Sequence, residues 1–100
     1  MHNLPAVKGL HLAGEGIEES VVISLNELRS GERGTIQQIN GGKFLIDRLN
    51  ALGIRPGKEI YKISSMFTSG PVTVQIDRTQ VAIGLGMAKK IIITTDRNMA

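Results

Sequence analysis

From residue 43 to residue 52 the chain reads KFLIDRLNAL, and Leu45, Leu49 and Leu52 recur at i, i+4 and i+7. Asp47, Arg48 and Asn50 fall between them, so the spacing predicts an amphipathic helix with one apolar stripe. Phe44 is assigned to the packing of this helix. Next comes Gly53-Ile54-Arg55-Pro56-Gly57. Gly53 suits the left-handed residue that ends a helix, and Ile54 suits the position that folds back on the last turn. Arg55 precedes proline and is pushed extended, while Pro56-Gly57 fits the centre of a type II turn. The stretch reads as a structural corner, with no nucleophile, base or metal ligand in it.

Beyond the corner the hydrophobic period switches to two. KEIYKIS reads as a strand, and Gly70-Pro71 opens another in which Val72, Val74 and Ile76 share a face. TQVAIG follows a tight turn, and KKIIITT closes the pattern. Gly84 and Gly86, between these last two strands, are read as close backbone packing at a corner. Upstream, Ser24 and Glu27 have capping-box spacing, which predicts a short helix from Leu25 through Leu28 with a stop at Gly31. GTIQQI, led by Gly34, is the next strand. Before it, Pro5, Gly9, Gly14 and Gly16 interrupt every periodicity, although Val21-Val22-Ile23 suits a short strand. The expected layout is a flexible leader over 1–22, a domain over 23–96 and a tail over 97–100. Short strands with two small helices predict a mostly β domain of about five antiparallel strands, closed into a small barrel that removes exposed edges.

Composition narrows the function. One hundred residues support one domain, in which roughly 60–65% of the unfolded surface is buried. There is no Cys, which removes disulfides, thiolate metal sites and a Cys nucleophile. No apolar run approaches the roughly 20 residues of a membrane span, and the N-terminus lacks a signal-peptide pattern. A cytosolic protein is expected. Charge is uneven: residues 1–22 hold one Lys against three Glu (net −2), and residues 23–100 hold 11 Lys and Arg against 6 Asp and Glu (net +5). A basic domain behind an acidic leader suits an anionic partner.

Candidate chemistry is sparse. The histidines are His2 and His11, so the domain from residue 23 has none, and no Ser stands beside a base. Glu15, Glu18 and Glu19 offer at most a loose hard-metal site, with no ligand spacing to argue for one. No cofactor is expected, and the reading is of a protein that is not an enzyme. The aromatics are Phe44, Tyr61 and Phe67, too few for a base-stacking nucleic-acid surface. Met66 and Phe67 stand near a loop tip, where two large apolar side chains either fold back onto the barrel mouth or are offered to a partner.

From Ser24 to Thr94 the chain resembles the FeoA family of ferrous-iron-transport accessory proteins. The resemblance is carried by Leu25-x-x-Leu28-x-x-Gly31-x-x-Gly34, by Arg48-Leu49, and by Leu52-Gly53-Ile54-x-Pro56-Gly57. Gly70-Pro71-Val72, Val81-Ala82-Ile83 and Ala88-x-Lys90-Ile91-x-Ile93 complete it. It implies an SH3-like barrel and a non-catalytic cytosolic role beside FeoB, the membrane GTPase that carries Fe²⁺ inward. A similar domain closes iron-dependent repressors of the diphtheria-toxin-repressor type, which leaves a metal-responsive regulatory module as the alternative, ahead of a basic nucleic-acid-binding barrel. Self-association is compatible with each. The family carries no catalytic residues over to this chain. The expected docking face combines Met66 and Phe67 as apolar anchors with Arg48, Arg55 and Lys58 as steering charges. Gly53, Ile54, Pro56, Gly57, Gly70 and Pro71 are expected to be structural.

Overall fold

The computed structural model describes residues 18–64 and 70–98, and Met66 and Phe67 lie outside that range. Six strands alternate with short helical elements: β1 (Glu18–Ser24), a one-turn 3-10 helix (Leu25–Glu27), β2 (Arg33–Ile39), α1 (Lys43–Ala51), β3 (Glu59–Ser64), β4 (Val72–Ile76), β5 (Thr79–Ile83), α2 (Leu85–Ala88) and β6 (Ile91–Asn98). The strands form one sheet in the order β1-β6-β2-β3-β4-β5. Every neighbouring pair is antiparallel.

The strand beyond the expected five is β1. It pairs with β6 without a break from Glu18↔Asn98 to Ser24↔Ile92. Residues 18–22, grouped with the leader by sequence, therefore stand in the sheet, and β6 reaches past residue 96. An edge strand needs only one partner, and the Ile-rich β6 supplies it along the full length.

Alternation sets the core. β4 follows a strict alternation, with Val72, Val74 and Ile76 buried, and β6 contributes Ile91 and Ile93. The sheet curls over a single cluster that also takes Leu25 and Leu28 around the 3-10 turn, Leu49 from α1, Ile54 and Ala88. Each fully buried Leu or Ile contributes about 1.5–3 kcal/mol. Gly34 faces the same interior: a Cβ there would lie 2.3 Å from Ile93 Cγ2 and 2.9 Å from the Thr94 carbonyl. Only glycine fits that approach of β2 to β6.

Two helical expectations change in detail. The Ser24–Glu27 spacing produces a single 3-10 turn, with the Ser24 N–H donating to Glu27 Oε1 at 2.9 Å. Residues 85–88, read only as a link between strands, close one helical turn behind Gly84. Gly84 and Gly86 are not closely packed: an added Cβ would meet one methyl carbon at 4.0 Å at Gly84 and nothing within 4 Å at Gly86. No helix among the described residues is long and apolar enough to cross a membrane.

Candidate docking face

The corner after α1 forms as its residues require. The Gly53 N–H donates to the Asn50 carbonyl and the Ile54 N–H to the Leu49 carbonyl, both at 2.9 Å. This is the Schellman closure, and Gly53 takes the positive φ of 87° that it demands. Ile54 is fully buried beside Leu49 in the core. The Lys58 N–H reaches the Arg55 carbonyl at 3.2 Å across Pro56-Gly57, with Gly57 at φ 92°. Two further bonds fasten the corner to β2: Gly57 N–H to the Ile36 carbonyl at 2.8 Å, and Ile36 N–H to the Lys58 carbonyl at 2.9 Å. The corner is a rigid platform for the side chains on either side of it.

Those side chains include the three basic candidates. Arg48 is exposed in the last turn of α1, and Arg55 is exposed on the corner. Lys58 is engaged, its Nζ lying 2.7 Å from Asp77 Oδ2. That bond links the corner to the tight β4–β5 turn, where Asp77 adopts φ 54°. The apolar anchors expected with them, Met66 and Phe67, fall outside the described residues.

Among the described residues three large apolar side chains are exposed: Val22 on β1, Phe44 on α1 and Leu52 at its C-cap. Phe44, assigned to packing by the sequence reading, is 78% exposed, and Leu52 is 46% exposed. Helical geometry explains both corrections. Leu45 and Leu49 take the inward direction, and Phe44 is rotated about 100° from Leu45. Leu52 occupies the C-cap, where φ −91° and ψ 2° leave the helical path. Phe44 and Arg48 then share one exposed face at i and i+4, and Leu52 is exposed at the C-cap that follows. Counting back five positions from the buried Leu49 places Phe44 about 140° away, which would have revealed its exposure.

A second assembly went unnoticed in the sequence. Lys62 is only 4% exposed, and its Nζ donates to the Leu28 carbonyl and, at 3.3 Å, to the Asn26 carbonyl. Burial pushes its ammonium below the ordinary lysine value, and nearby Glu32 acts against that. Glu32 is paired with Arg97 at 2.8 Å. Arg97's hydrogen bonds hold the Glu32 carboxyl below its usual range and raise the guanidinium in turn. Glu27 is lowered as well, first by the Ser24 backbone N–H and then by its hydroxyl. Together these groups pin residues 25–32 to β3 and β6. The signal was available, since alternation from inward Ile60 puts Lys62 on the same face.

The outer face of the sheet carries an open polar groove of about 630 Å³ between β1, β6, β2 and β3. Its charged groups are largely engaged with one another. Ser20 Oγ donates to Asp96 Oδ1 at 2.8 Å, Arg33 lies 4.0 Å from Glu59, and the Arg33 guanidinium sits 5.5 Å from the Tyr61 ring centroid. Among the described residues no three His, Cys, Asp or Glu side chains converge as metal ligands.

The FeoA domain family matches residues 23–95. A candidate Fe(2+) transport protein A of Campylobacter jejuni is 32% identical over 69 residues, covering 69% of this chain and 93% of the relative. The crystal structure of an iron uptake regulatory protein, FeoA, superposes with TM-score 0.68 at 28% identity, covering 77% of this chain and 99% of that one. The zinc complex of Stenotrophomonas maltophilia FeoA, described as an SH3 domain protein, matches with TM-score 0.65 at 20% identity, over 78% and 99% of the two chains. At that identity the likeness is one of fold, and the fold is the SH3-like one.

Proposed function

This chain belongs to the FeoA family, and we propose on that footing that it is a non-catalytic accessory protein of ferrous iron transport. In this reading it works in the cytosol, docks on a FeoB-type membrane GTPase and Fe²⁺ transporter, and modulates that partner. The observation that carries the reading is the family match over residues 23–95. The name of the Campylobacter relative points the same way. Docking uses the end of the molecule where α1 meets the corner, with Arg48 and Arg55 exposed and Lys58 held by Asp77. Met66 and Phe67 belong to the proposed surface as apolar anchors. The rigid corner supports such contacts because little conformational entropy remains to be lost on binding.

The test is an amide-shift titration of isotope-labelled protein with the soluble GTP-binding domain of a FeoB-type transporter, and separately with the whole transporter in detergent. Shifts confined to residues 48–58 and the 66–70 loop support the reading. Arg55→Glu then weakens the response without changing the fold. No response to either partner well above micromolar concentration overturns it.

A further inference from the structure

We propose that the exposed face of α1 seats reversibly on an anionic lipid surface. Phe44 and Arg48 stand one turn apart on that face and Leu52 follows at the C-cap, with Phe44 78% and Leu52 46% exposed. Interfacial helices sink Phe and Leu side chains into the headgroup boundary while Lys and Arg of the polar face meet anionic lipid. A single exposed apolar residue is ordinary, but one on a nine-residue helix and a second at its C-cap, set among exposed arginines, form a patch.

The charges around the patch fit the anionic side of that interface. Lys43 and Asp47 neutralise each other on the flank at 2.6 Å. Arg48 and Arg55 are exposed and have no ion pair among the described residues. At the other end, the Asn40 N–H donates to the Lys90 carbonyl at 2.7 Å. That bond brings the exposed Lys89-Lys90 turn beside the start of α1. Exposed cations therefore lie on α1 (Arg48), on the corner after it (Arg55) and on the turn bonded just before it (Lys89 and Lys90). Nucleic acid fits less well, because one phenyl ring with an aliphatic neighbour makes a poor stacking platform. The inference rests on the transport reading only in placing the protein beside a membrane.

Co-sedimentation of the full chain with vesicles decides it, without any transporter present. Binding is expected to vesicles of phosphatidylglycerol mixed with phosphatidylcholine, to be absent with phosphatidylcholine alone, and to fall as salt rises. Each elementary charge near such a surface changes binding about fivefold, so Arg48→Glu weakens it on the order of 25-fold. Phe44→Ser weakens it also, and neither variant changes the urea midpoint, because both side chains are exposed. Arg33→Glu, the same charge change on the outer face of β2, separates a specific face from net charge. Loss equal to that of Arg48→Glu overturns the proposal, as does failure to bind phosphatidylglycerol vesicles at low salt. If Phe44→Ser instead weakens only the lipid-free contact with the transporter's GTP-binding domain, the patch is a protein contact. The lipid proposal then falls while the transport reading stands.

Discussion

Arg97 grips Glu32 side-on, its Nε donating to Oε2 at 2.8 Å and its Nη2 to Oε1 at 3.0 Å. The same Nη2 reaches the Glu27 carbonyl at 3.1 Å. One guanidinium thus ties β6 both to the 3-10 turn and to the loop before β2. Arg97 lies past residue 95, where the family match ends, so this clasp uses the extension of β6.

Arg97→Ala is expected to destabilise the fold by about 1–3 kcal/mol, because it leaves a partly enclosed carboxylate without its fork of donors. The two side chains are only 18% and 19% exposed, so solvent screens them less than a surface pair. Arg97→Lys restores part of the loss, since an ammonium lacks the bidentate geometry. Urea midpoints measure both, and an unchanged midpoint in the alanine variant refutes the clasp.

The same carboxylates give the acid limb of stability a defined sign. The native Glu32 and Glu27 carboxyls lie below their ordinary value, so the unfolded chain takes up protons first as pH falls. Their contribution is complete above the unfolded value of about 4.3 and disappears as pH drops through the lowered native values. Unfolding free energies of wild type and Arg97→Ala, measured from neutral pH downward, should converge in that window. A gap that stays constant to the lowest pH rules out Glu32 as its source.

Lys62→Met keeps much of the buried stem and removes the donors to the Leu28 and Asn26 carbonyls. Losing a buried charge is favourable, but leaving acceptors unsatisfied costs about 1–3 kcal/mol. Net destabilisation is expected, with amide exchange rising first over residues 25–32. Fast exchange elsewhere, with that segment still protected, would show that the lysine does not hold it.

Glycines give a ranking with opposite signs. Gly34→Ala forces a Cβ to 2.3 Å from Ile93 Cγ2 and 2.9 Å from a carbonyl oxygen, so overpacking of about 1–3 kcal/mol or more follows. Gly86→Ala, in α2 with nothing within 4 Å, should stabilise by about 0.4–1 kcal/mol through the unfolded chain. Thermal midpoints that put the two variants in the reverse order would contradict the β2–β6 approach.

Much of this was legible in one dimension. The corner from Gly53 to Gly57 could be read residue by residue, because positive φ, fixed proline φ and Schellman closure are local demands. Period-two alternation located β3 to β6 for the same reason. On the α1 and corner face, the sequence reading named Arg48, Arg55 and Lys58 as docking candidates and assigned Phe44 to packing, whereas Phe44 is exposed. Leucine spacing locates an apolar stripe without deciding how α1 rolls against the sheet.

What the chain determined by itself was therefore the set of elements, their caps and turns, and the scarcity of catalytic groups. The tertiary structure decided which residues found partners far along the chain. β1 became a strand because β6 lay beside it, Lys62 was buried because the Asn26 and Leu28 carbonyls met its Nζ, and Arg97 closed on Glu32 across 65 positions. Such contacts depend on where the curled sheet brings distant segments together, and no local periodicity encodes that distance.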